Sequence, residues 1–288
     1  MLEGGKRFKK LDNNSIMPLL SVITVVFNRA NYLEDAIKSI VCQSYRNFEY
    51  IVIDGNSSDG TLDIIKKYSD EIDYWISEPD GGMYFALNKG IELARGKWIG
   101  ILHSDDYLYD ENCLDKIAAE LEFADFDILH SDIYSIISES NEEAKIYQVS
   151  SDENIIASRN SIIHPTVYIR KTVFEKYGNY DISYKSASDY ELMVRLKIKN
   201  LKFHHLPQVT MFIRDFNSER VSNNCYGMLE ANKFHKFHRT GYEKIYQKLY
   251  WYCIIRNLML KIFPFLEIEK HAFLLFIKNL LKKSIISK

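Results

Sequence analysis

The stretch Leu19-Leu20-Ser21-Val22-Ile23-Thr24-Val25-Val26 is an apolar and β-branched run near the start of the chain. Such a run is typical of a strand covered on both faces, as the central strands of parallel sheets are. Asn31 and Glu34 then have the spacing of a capping box. Four apolar residues follow at helical spacing, namely Leu33, Ala36, Ile37 and Ile40. The sequence therefore predicts a central parallel strand followed by a helix.

The same alternation continues through the first hundred residues. Further strands are predicted at residues 48–53, 74–77 and 98–101. Between them, residues 62–68 and 83–94 repeat apolar side chains at helical spacing, and polar turns separate the elements. Alternating strands and helices at this spacing predict a parallel sheet with helices on both sides.

Beyond residue 128 the pattern changes to shorter extended pieces. These are residues 128–132, 146–149, 164–170 and 201–206, and helical spacing returns at 190–199. We interpret this as an α+β half that completes a cleft. The predicted organisation is a flexible leader at 1–18, a nucleotide-binding half at 19–106, an acceptor half at 107–215, and a basic amphipathic helical region at 216–288.

Composition excludes several classes of protein. The 288 residues include 37 Lys and Arg against 39 Asp and Glu, so no global positive charge points to nucleic acid. The four cysteines are scattered without a C-x-x-C pair, which argues against a zinc site or a disulfide framework and favours a reducing cytoplasm. No run of 18 uncharged apolar residues occurs, and the first 15 residues do not resemble a secretory signal.

Three polar turns are expected at one edge of the sheet, outside the carboxyl ends of the strands. They are residues 27–29, 54–60 and 103–106, and ligands of such sheets bind at this edge. The first turn lacks G-x-G-x-x-G, and no Walker A sequence occurs, which disfavours dinucleotide and P-loop proteins. Asp105 and Asp106 end a predicted strand, where a carboxylate pair can hold a hard divalent cation. The alternative is that one of them caps the next helix.

Three ordered motifs resemble family-two glycosyltransferases, which are inverting enzymes with the GT-A fold. The segments are 21–29, the turn 50–61 and the segment 77–90, and the resemblance spans about residues 19 to 214. The third segment is similar to the branch that assembles surface polysaccharides. The resemblance implies a GT-A, Rossmann-like mixed sheet flanked by helices, with a C-terminal helical extension.

The resemblance also implies a binding site for a nucleoside-diphosphate sugar. Asp54 would accept from the base N3–H, although an Asx turn with Asn56 or Ser57 is the alternative. Asp80 would face the donor beside the free N–H groups of Gly82 and Met83, with a helix cap as its alternative. The full implied set is Phe27, Asn28, Arg29, Asp54, Asp80, Gly82, Met83, Lys89, His103, Ser104 and Asp105.

The segment Leu102-His103-Ser104-Asp105-Asp106 occupies the D-x-D position of the family. His103 stands where the first Asp of the fuller form is expected, so binding of Mn²⁺ or Mg²⁺ is predicted mainly at Asp105, with Asp106 nearby. Phe85 is a second departure, because relatives often carry Asp there. This difference affects the pocket expected to hold the donor sugar, and hence which sugar is bound.

The segment 187–195 is similar to the family's catalytic motif, which makes Asp189 the predicted general base. Its position before a helix would favour the anion and lower its basicity. Glu191 is the alternative, although an amphipathic helix predicts that it faces solvent. His164 and Tyr190 are predicted acceptor contacts, with a structural histidine as the alternative for His164. Arg170, Lys171 and Arg214 are candidates for phosphate contact or ordinary surface cations.

The last region, 247–288, interleaves apolar residues with eight Lys or Arg and only two Glu. A basic amphipathic helix of this kind can lie in the headgroup region of an anionic membrane, which suits a lipid-linked acceptor as in capsule or O-antigen lipopolysaccharide assembly. The alternative is packing on the catalytic domain or on a second subunit as a homodimer. The expected location is cytoplasmic, at the inner face of the plasma membrane.

The sequence therefore predicts a metal-dependent inverting glycosyltransferase that moves a sugar, most simply from a UDP-sugar, to a saccharide or lipid-linked saccharide. A non-catalytic scaffold or membrane-associated partner protein is one alternative, supported by His103 and Phe85. A sugar-nucleotide pyrophosphorylase is another, but residues 27–30 lack the Gly-rich basic loop that it would need.

Overall fold

The computed structural model describes residues 1–8, 17–136, 144–147, 162–214, 226–238, 247, 250 and 251. The chain divides into two compact units, Met1–Asn223 and Asn224–Lys288.

The strands are β1 (Leu2–Gly4), β2 (Leu20–Val26), β3 (Phe48–Asp54), β4 (Tyr74–Ser77), β5 (Trp98–Ile101), β6 (Tyr107–Leu108), β7 (Ile128–Ile136), β8 (Ala144–Tyr147), β9 (Tyr168–Arg170) and β10 (Phe203–Arg214). The helices are α1 (Ala30–Val41), α2 (Thr61–Lys67), α3 (Met83–Leu93), α4 (Cys113–Glu122), α5 (Lys171–Tyr177), α6 (Ser188–Ile198) and α7 (Tyr226–His238), with 3₁₀ turns at Lys6–Phe8 and His164–Thr166.

The ten described strands form one mixed sheet. Its order is β1-β4-β3-β2-β5-β9-β7-β10-β6, and β8 pairs with the end of β7. The β4-β3-β2-β5 section is parallel throughout, as predicted, whereas β9 is antiparallel to both of its neighbours. Every residue of β2 is buried, which confirms its prediction as a central strand.

The hydrophobic core covers both faces of this sheet. On one face, Leu33 and Ile37 of α1 and Leu114 and Ile117 of α4 join a continuous cluster with the strands. On the other face α3 packs closely, since a Cβ at Gly90 would lie 2.5 Å from Ile23 Cγ2. Tight packing of helices on both faces fixes the carboxyl edge of the sheet, where the three polar turns emerge.

The N-terminal residues differ from the prediction of a flexible leader. β1 pairs antiparallel with β4, and the Arg7 guanidinium forms an ion pair with the buried carboxylate of Glu49. Glu49 also accepts from the Ser21 hydroxyl and from the backbone N–H groups of Arg95 and Gly96. The leader prediction is therefore wrong for residues 2–8, because a buried acid 42 positions away needs this cation. Residues 9–16 lie outside the described part.

The predicted capping box of α1 is also wrong. Arg29 is the N-cap residue and makes no side-chain cap bond, and Asn31 lies within the helix. The Asp59 carboxylate instead accepts the backbone N–H of Ala30 at 3.0 Å. Glu34 accepts from Lys67 and Tyr68 at 2.7 Å each, so it joins α1 to α2.

The second half contains the predicted extended pieces and helix, with different bounds. β10 runs to Arg214, eight residues beyond its predicted end, and pairs in parallel with β7. Residues 164–166 form a 3₁₀ turn in place of strand.

The second unit contains α7, and its residues Ala231, Phe234 and His235 are buried. Most of the predicted membrane-binding region, 247–288, lies outside the described residues. No helix in the described part of the chain is long and apolar enough to cross a bilayer.

Candidate active site

The turns after β2 and β3 are joined by hydrogen bonds. The backbone N–H of Asn28 donates to Ser57 Oγ at 2.8 Å, and Asn28 Oδ1 accepts the Ser58 N–H at 2.9 Å. The Arg29 N–H donates to Thr61 Oγ1 at 3.0 Å. Asn28 has a φ of 50°, in the left-handed region that Asn tolerates, and this conformation turns the chain back toward the second turn. The two turns thus form one rigid wall at the carboxyl edge.

The carboxylate of Asp54 holds the second turn in place through hydrogen bonds. It is fully buried at the end of β3, and its carboxylate accepts the Ser57 N–H at 3.2 Å, the Ser57 hydroxyl, and the Ser77 hydroxyl at 2.6 Å. These contacts make the local turn that was the alternative to base recognition. The structure thus shows the turn-forming role of Asp54, and its contact with a base stays a prediction.

Phe27, Gly55 and Asp80 meet where the turns after β2, β3 and β4 approach one another. A Cβ at Gly55 would lie 3.0 Å from Asp80 Oδ2 and 3.3 Å from the Phe27 ring, so only glycine fits without displacement. Asp80 Oδ1 accepts the Gly82 N–H at 2.7 Å. The predicted free N–H of Gly82 is therefore wrong, because Asp80 binds it in the local turn before α3, and no side chain caps the helix itself. Phe27 remains 61% exposed, which leaves an aromatic face at the mouth of the site.

The predicted metal loop, residues 103–106, leaves β5 at the same edge. Asp105 is partly exposed, whereas Asp106 is buried and accepts the Arg214 N–H at 3.2 Å. Arg214 also donates from Nη1 to the backbone oxygen of Asp105 at 2.9 Å and from Nη2 to Asp35 at 2.6 Å. The guanidinium therefore holds the loop in place, and this engagement replaces the predicted phosphate contact.

The donor set of this loop fits a hard cation that shares its coordination with phosphate. Within the described residues, no three His, Cys, Asp or Glu side chains cluster as a protein-only site would require. Mg²⁺ commonly takes one or two carboxylates and completes its shell with substrate phosphates and water. Asp105 can offer its partly exposed carboxylate to the cation. Buried Asp106 bonds the backbone of Arg214 and so helps to hold the loop in shape.

Asp189 lies in the first turn of α6, and the residue as a whole is partly exposed. Burial raises its pKa above the ordinary aspartate value, although the Tyr190 N–H, the Tyr84 hydroxyl and the charge of His103 each lower it. The effect of burial exceeds that of the helix N-terminus, so the sign is opposite to the one expected from the helix alone. Asp189 is thus a stronger base than an exposed aspartate.

A chain of contacts leads from this carboxylate through two tyrosines to a histidine. The Tyr84 hydroxyl donates to Asp189 Oδ1 at 3.2 Å, and the Tyr84 and Tyr180 rings stack with centroids 5.8 Å apart. The Tyr180 hydroxyl shares a hydrogen bond of 2.6 Å with His164 Nε2. Burial lowers the pKa of His164 to about 4, so this ring is neutral at pH 7. The His164 ring lies 5.8 Å from that of His103, which connects Asp189 to the metal loop.

Several predicted residues have other roles in the structure. Tyr190 and His164 are buried, so neither ring offers a surface to an acceptor. Lys89 forms an ion pair with Glu78 beside α3. Glu191 was expected to face solvent, but it is 5% exposed and bonds Arg195 at 2.8 Å. This prediction was wrong because α6 is covered on more than one side.

Arg170 and Lys171 are wrong as phosphate contacts. Arg170 lies opposite Trp98 at the amino end of β5, far along the sheet from the metal loop. Its guanidinium bonds the backbone oxygens of Ala124 and Phe126, and Lys171 bonds that of Ala94. Both cations therefore stabilise loops at the opposite edge.

Tyr84, Tyr180, Ser77 and Asn88 are site residues that sequence reasoning missed. Tyr84, Ser77 and Asn88 lie within the recognised segment 77–90, so that motif contained a signal for them. Asn88 bonds both the N–H and the carbonyl of Tyr180, at 3.0 and 2.9 Å. Nothing around Tyr180 in the sequence indicated this role.

A mixed sheet with three polar turns and acidic side chains at its carboxyl edge has the arrangement expected of a GT-A-type transferase. The model of the family described as Glycosyl transferase family 2 matches residues 21–188. The chain belongs to this family and is a glycosyltransferase.

The relatives agree with this assignment. An uncharacterized glycosyltransferase of Rickettsia typhi is 29% identical over 77% of this chain and 72% of its own length, and one of Rickettsia prowazekii is 31% identical over 68% and 64%. The PGL/p-HBAD biosynthesis glycosyltransferase of Mycobacterium tuberculosis H37Rv is 29% identical over 62% of this chain and 69% of its own.

Solved structures share the GT-A fold. Residues 1–349 of S. aureus TarS in complex with UDP-GlcNAc align with a TM-score of 0.62 and 20% identity, covering 75% of this chain and 66% of that one. The mannosyltransferase PcManGT of Pyrobaculum calidifontis, in complex with GDP-Man and Mn²⁺, aligns with a TM-score of 0.60 and 14% identity, covering 82% and 69%. These likenesses confirm the predicted fold class.

Proposed function

We propose that the protein is a metal-dependent inverting glycosyltransferase that moves a sugar from a UDP-sugar to a saccharide or lipid-linked saccharide in surface polysaccharide assembly. The observation that carries this proposal is the linked series of contacts along one sheet edge. Asp80 meets the turn after β3, and Tyr84 of the following helix bonds Asp189. The charge of His103, in the loop 103–106, lowers the pKa of Asp189. The turn proposed to bind the donor, the loop proposed to bind the metal and the proposed base are thus neighbours.

The donor would lie along this edge with its diphosphate toward Asp105. A divalent cation held there would neutralise the leaving diphosphate oxygens. Phe27 offers an exposed ring, and the joined turns offer a rigid wall for the nucleoside. The relatives support the donor class, since TarS is bound to UDP-GlcNAc and PcManGT to GDP-Man with Mn²⁺.

Asp189 would act as the general base of the transfer step. The acceptor oxygen forms the new bond to the anomeric carbon while its proton passes to Asp189, and the bond to the diphosphate oxygen breaks with its electron pair. Burial raises the pKa of Asp189, which brings it closer to the operating pH and favours this proton transfer. The Tyr84 hydroxyl holds the carboxylate in orientation.

The membrane part of the proposal comes from the sequence of the tail alone. A basic amphipathic region at 247–288 would bring a lipid-linked acceptor and the active site to the same membrane surface. The expected location is the inner face of the plasma membrane.

The first experiment is calorimetric titration of the full chain with UDP, GDP and TDP, with Mn²⁺, with Mg²⁺ and with chelator. Donor hydrolysis is then measured for the corresponding sugar nucleotides. We expect cation-dependent binding of one nucleotide that Asp105→Asn weakens at least about tenfold, or about 1.4 kcal/mol. Glu111→Gln is the matched control, because Glu111 is an exposed acid outside the loop. No nucleotide binding with either cation would favour a non-catalytic scaffold.

A further inference from the structure

Four aromatic rings form a continuous patch beyond the metal loop. We call it the aromatic platform, and it consists of Tyr107, Tyr109, Tyr134 and Phe212. Phe212 lies 5.0 Å from Tyr107 and 5.3 Å from both Tyr109 and Tyr134, between ring centroids, and Tyr109 lies 5.2 Å from Tyr134. The rings come from β6, β7, β10 and the residue after β6, so the sheet sets their spacing.

The platform occupies the same face of the sheet as the candidate base. Leu108, Ile133 and Met211, each adjacent in sequence to a platform residue, join the core cluster with α1 and α4. Because side chains alternate along a strand, Tyr134 and Phe212 point to the opposite face. That is the face on which α3 packs, and Tyr84 of α3 bonds Asp189.

The platform also adjoins the metal loop. Tyr107 is two residues after Asp105, and the Arg214 guanidinium lies 4.7 Å from the centre of its ring while it bonds the Asp105 carbonyl. This cation–π contact fixes the edge of the platform to the loop. An acceptor lying across the rings would therefore continue into the space beside Asp105.

The four rings remain accessible. Tyr109 is 41% exposed, and the other three are partly exposed. A cluster of large aromatic rings that stays in contact with water loses the stability that burial would give, which marks a binding surface. Aromatic faces carry negative partial charge and attract the C–H bonds of a sugar ring, while tyrosine hydroxyls can bond its hydroxyl groups.

We propose that the aromatic platform is a subsite for a sugar ring of the acceptor saccharide. This inference rests on the proposed glycosyl transfer, which requires an acceptor on the Asp189 side of the donor. The rings stack against the apolar face of one sugar unit and thereby present the saccharide to the reacting centre.

The test compares Tyr109→Ala, Tyr109→Phe and the control Phe123→Ala on an array of oligosaccharides from bacterial surface polysaccharides. Phe123 is 88% exposed and lies outside the platform. We expect wild type, Tyr109→Phe and Phe123→Ala to bind the same saccharides, and Tyr109→Ala to bind them about tenfold more weakly. Cation-dependent nucleotide binding and donor hydrolysis without acceptor should be equal in all four proteins.

Several outcomes would overturn the subsite. Equal saccharide binding by Tyr109→Ala and wild type would do so, as would wild-type protein that binds nucleotide but no saccharide on the array. Loss of a wild-type dimer in Tyr109→Ala, measured by light scattering, would assign the platform to self-association. Absence of nucleotide binding in every protein would overturn the proposed function itself, and the subsite with it.

Discussion

The Tyr84 hydroxyl donates a hydrogen bond of 3.2 Å to Oδ1 of Asp189, across 105 positions of sequence. Tyr84 belongs to α3, the helix after β4, whereas Asp189 belongs to α6 of the second half. The bond therefore joins the predicted donor half to the predicted base. A hydrogen bond to the anion lowers the pKa of Asp189, in opposition to the larger effect of burial.

Replacement Tyr84→Phe should shift the acidic limb of kcat/KM to higher pH. Without the donated bond, protonated Asp189 is favoured, so the base is deprotonated only at higher pH. A hydrogen bond to a charged group contributes about 1.5 kcal/mol or more, so activity on the acidic limb should fall about tenfold. The measurement is a pH profile of transfer, with Tyr74→Phe as control because its hydroxyl bonds Glu3 on β1. Identical profiles for Tyr84→Phe and wild type would remove Tyr84 from the site.

Asp189→Asn should lower kcat by about 10²–10⁴-fold, the usual contribution of a general base. The same substitution should raise the free energy of unfolding at pH 7. The folded-state pKa of Asp189 is raised, so folded protein binds this proton more tightly than unfolded protein, and the free energy of unfolding falls as pH rises through the window above the ordinary aspartate pKa. The neutral amide of Asn carries no charge to be buried, so the variant should unfold at a higher urea concentration than wild type at pH 7. A variant that is both less stable and fully active would contradict both parts.

Glu191→Gln provides the contrasting case on the same helix. Glu191 is buried and pairs with Arg195, which also bonds the backbone oxygens of Tyr177 and Asn179. Removing one member of a buried ion pair costs about 3 kcal/mol of unfolding free energy. Below the melting temperature, kcat per folded molecule should remain within about threefold of wild type, since the defect lies in folding. A loss of kcat like that of Asp189→Asn would instead make Glu191 the base.

Arg7→Ala should destabilise the whole first unit. The Arg7 and Glu49 side chains are 13% and 7% exposed, so the substitution leaves a buried carboxylate without its cation, at a cost of about 3 kcal/mol. Lys6→Ala is the control, because Lys6 is 40% exposed beside Asp73 and such a pair contributes less than about 1 kcal/mol. Urea unfolding measures both. Equal midpoints for the two variants would indicate that the first eight residues contribute little to the fold.

The sequence was sufficient wherever local pattern decides structure. The run at 19–26 forms the predicted central strand β2, and the polar turn after Asp54 and the acids after β5 lie at the predicted carboxyl edge. Each of these features depends on neighbouring residues. Contacts between distant positions were not predictable. Buried Asp54 accepts a hydrogen bond from Ser77, buried Glu49 pairs with Arg7, and burial by the surrounding fold raises the pKa of Asp189. Which acids are ligands and which are structural is decided by these contacts.

His103→Asp restores the acid expected in the family's motif and should have two effects, one on cation binding and one on the pKa of Asp189. A second carboxylate beside Asp105 should strengthen binding of a hard cation, so the Mn²⁺ concentration for half-maximal donor hydrolysis should fall about tenfold. The same change replaces a positive charge that lowers the pKa of Asp189 with a negative charge that raises it. The acidic limb of kcat/KM should therefore move to higher pH. His103→Asn is the control, because it removes the positive charge without adding a ligand charge; it should move the pH limb and change Mn²⁺ activation less than His103→Asp does. If Mn²⁺ activation is the same in all three proteins, position 103 lies outside the cation site.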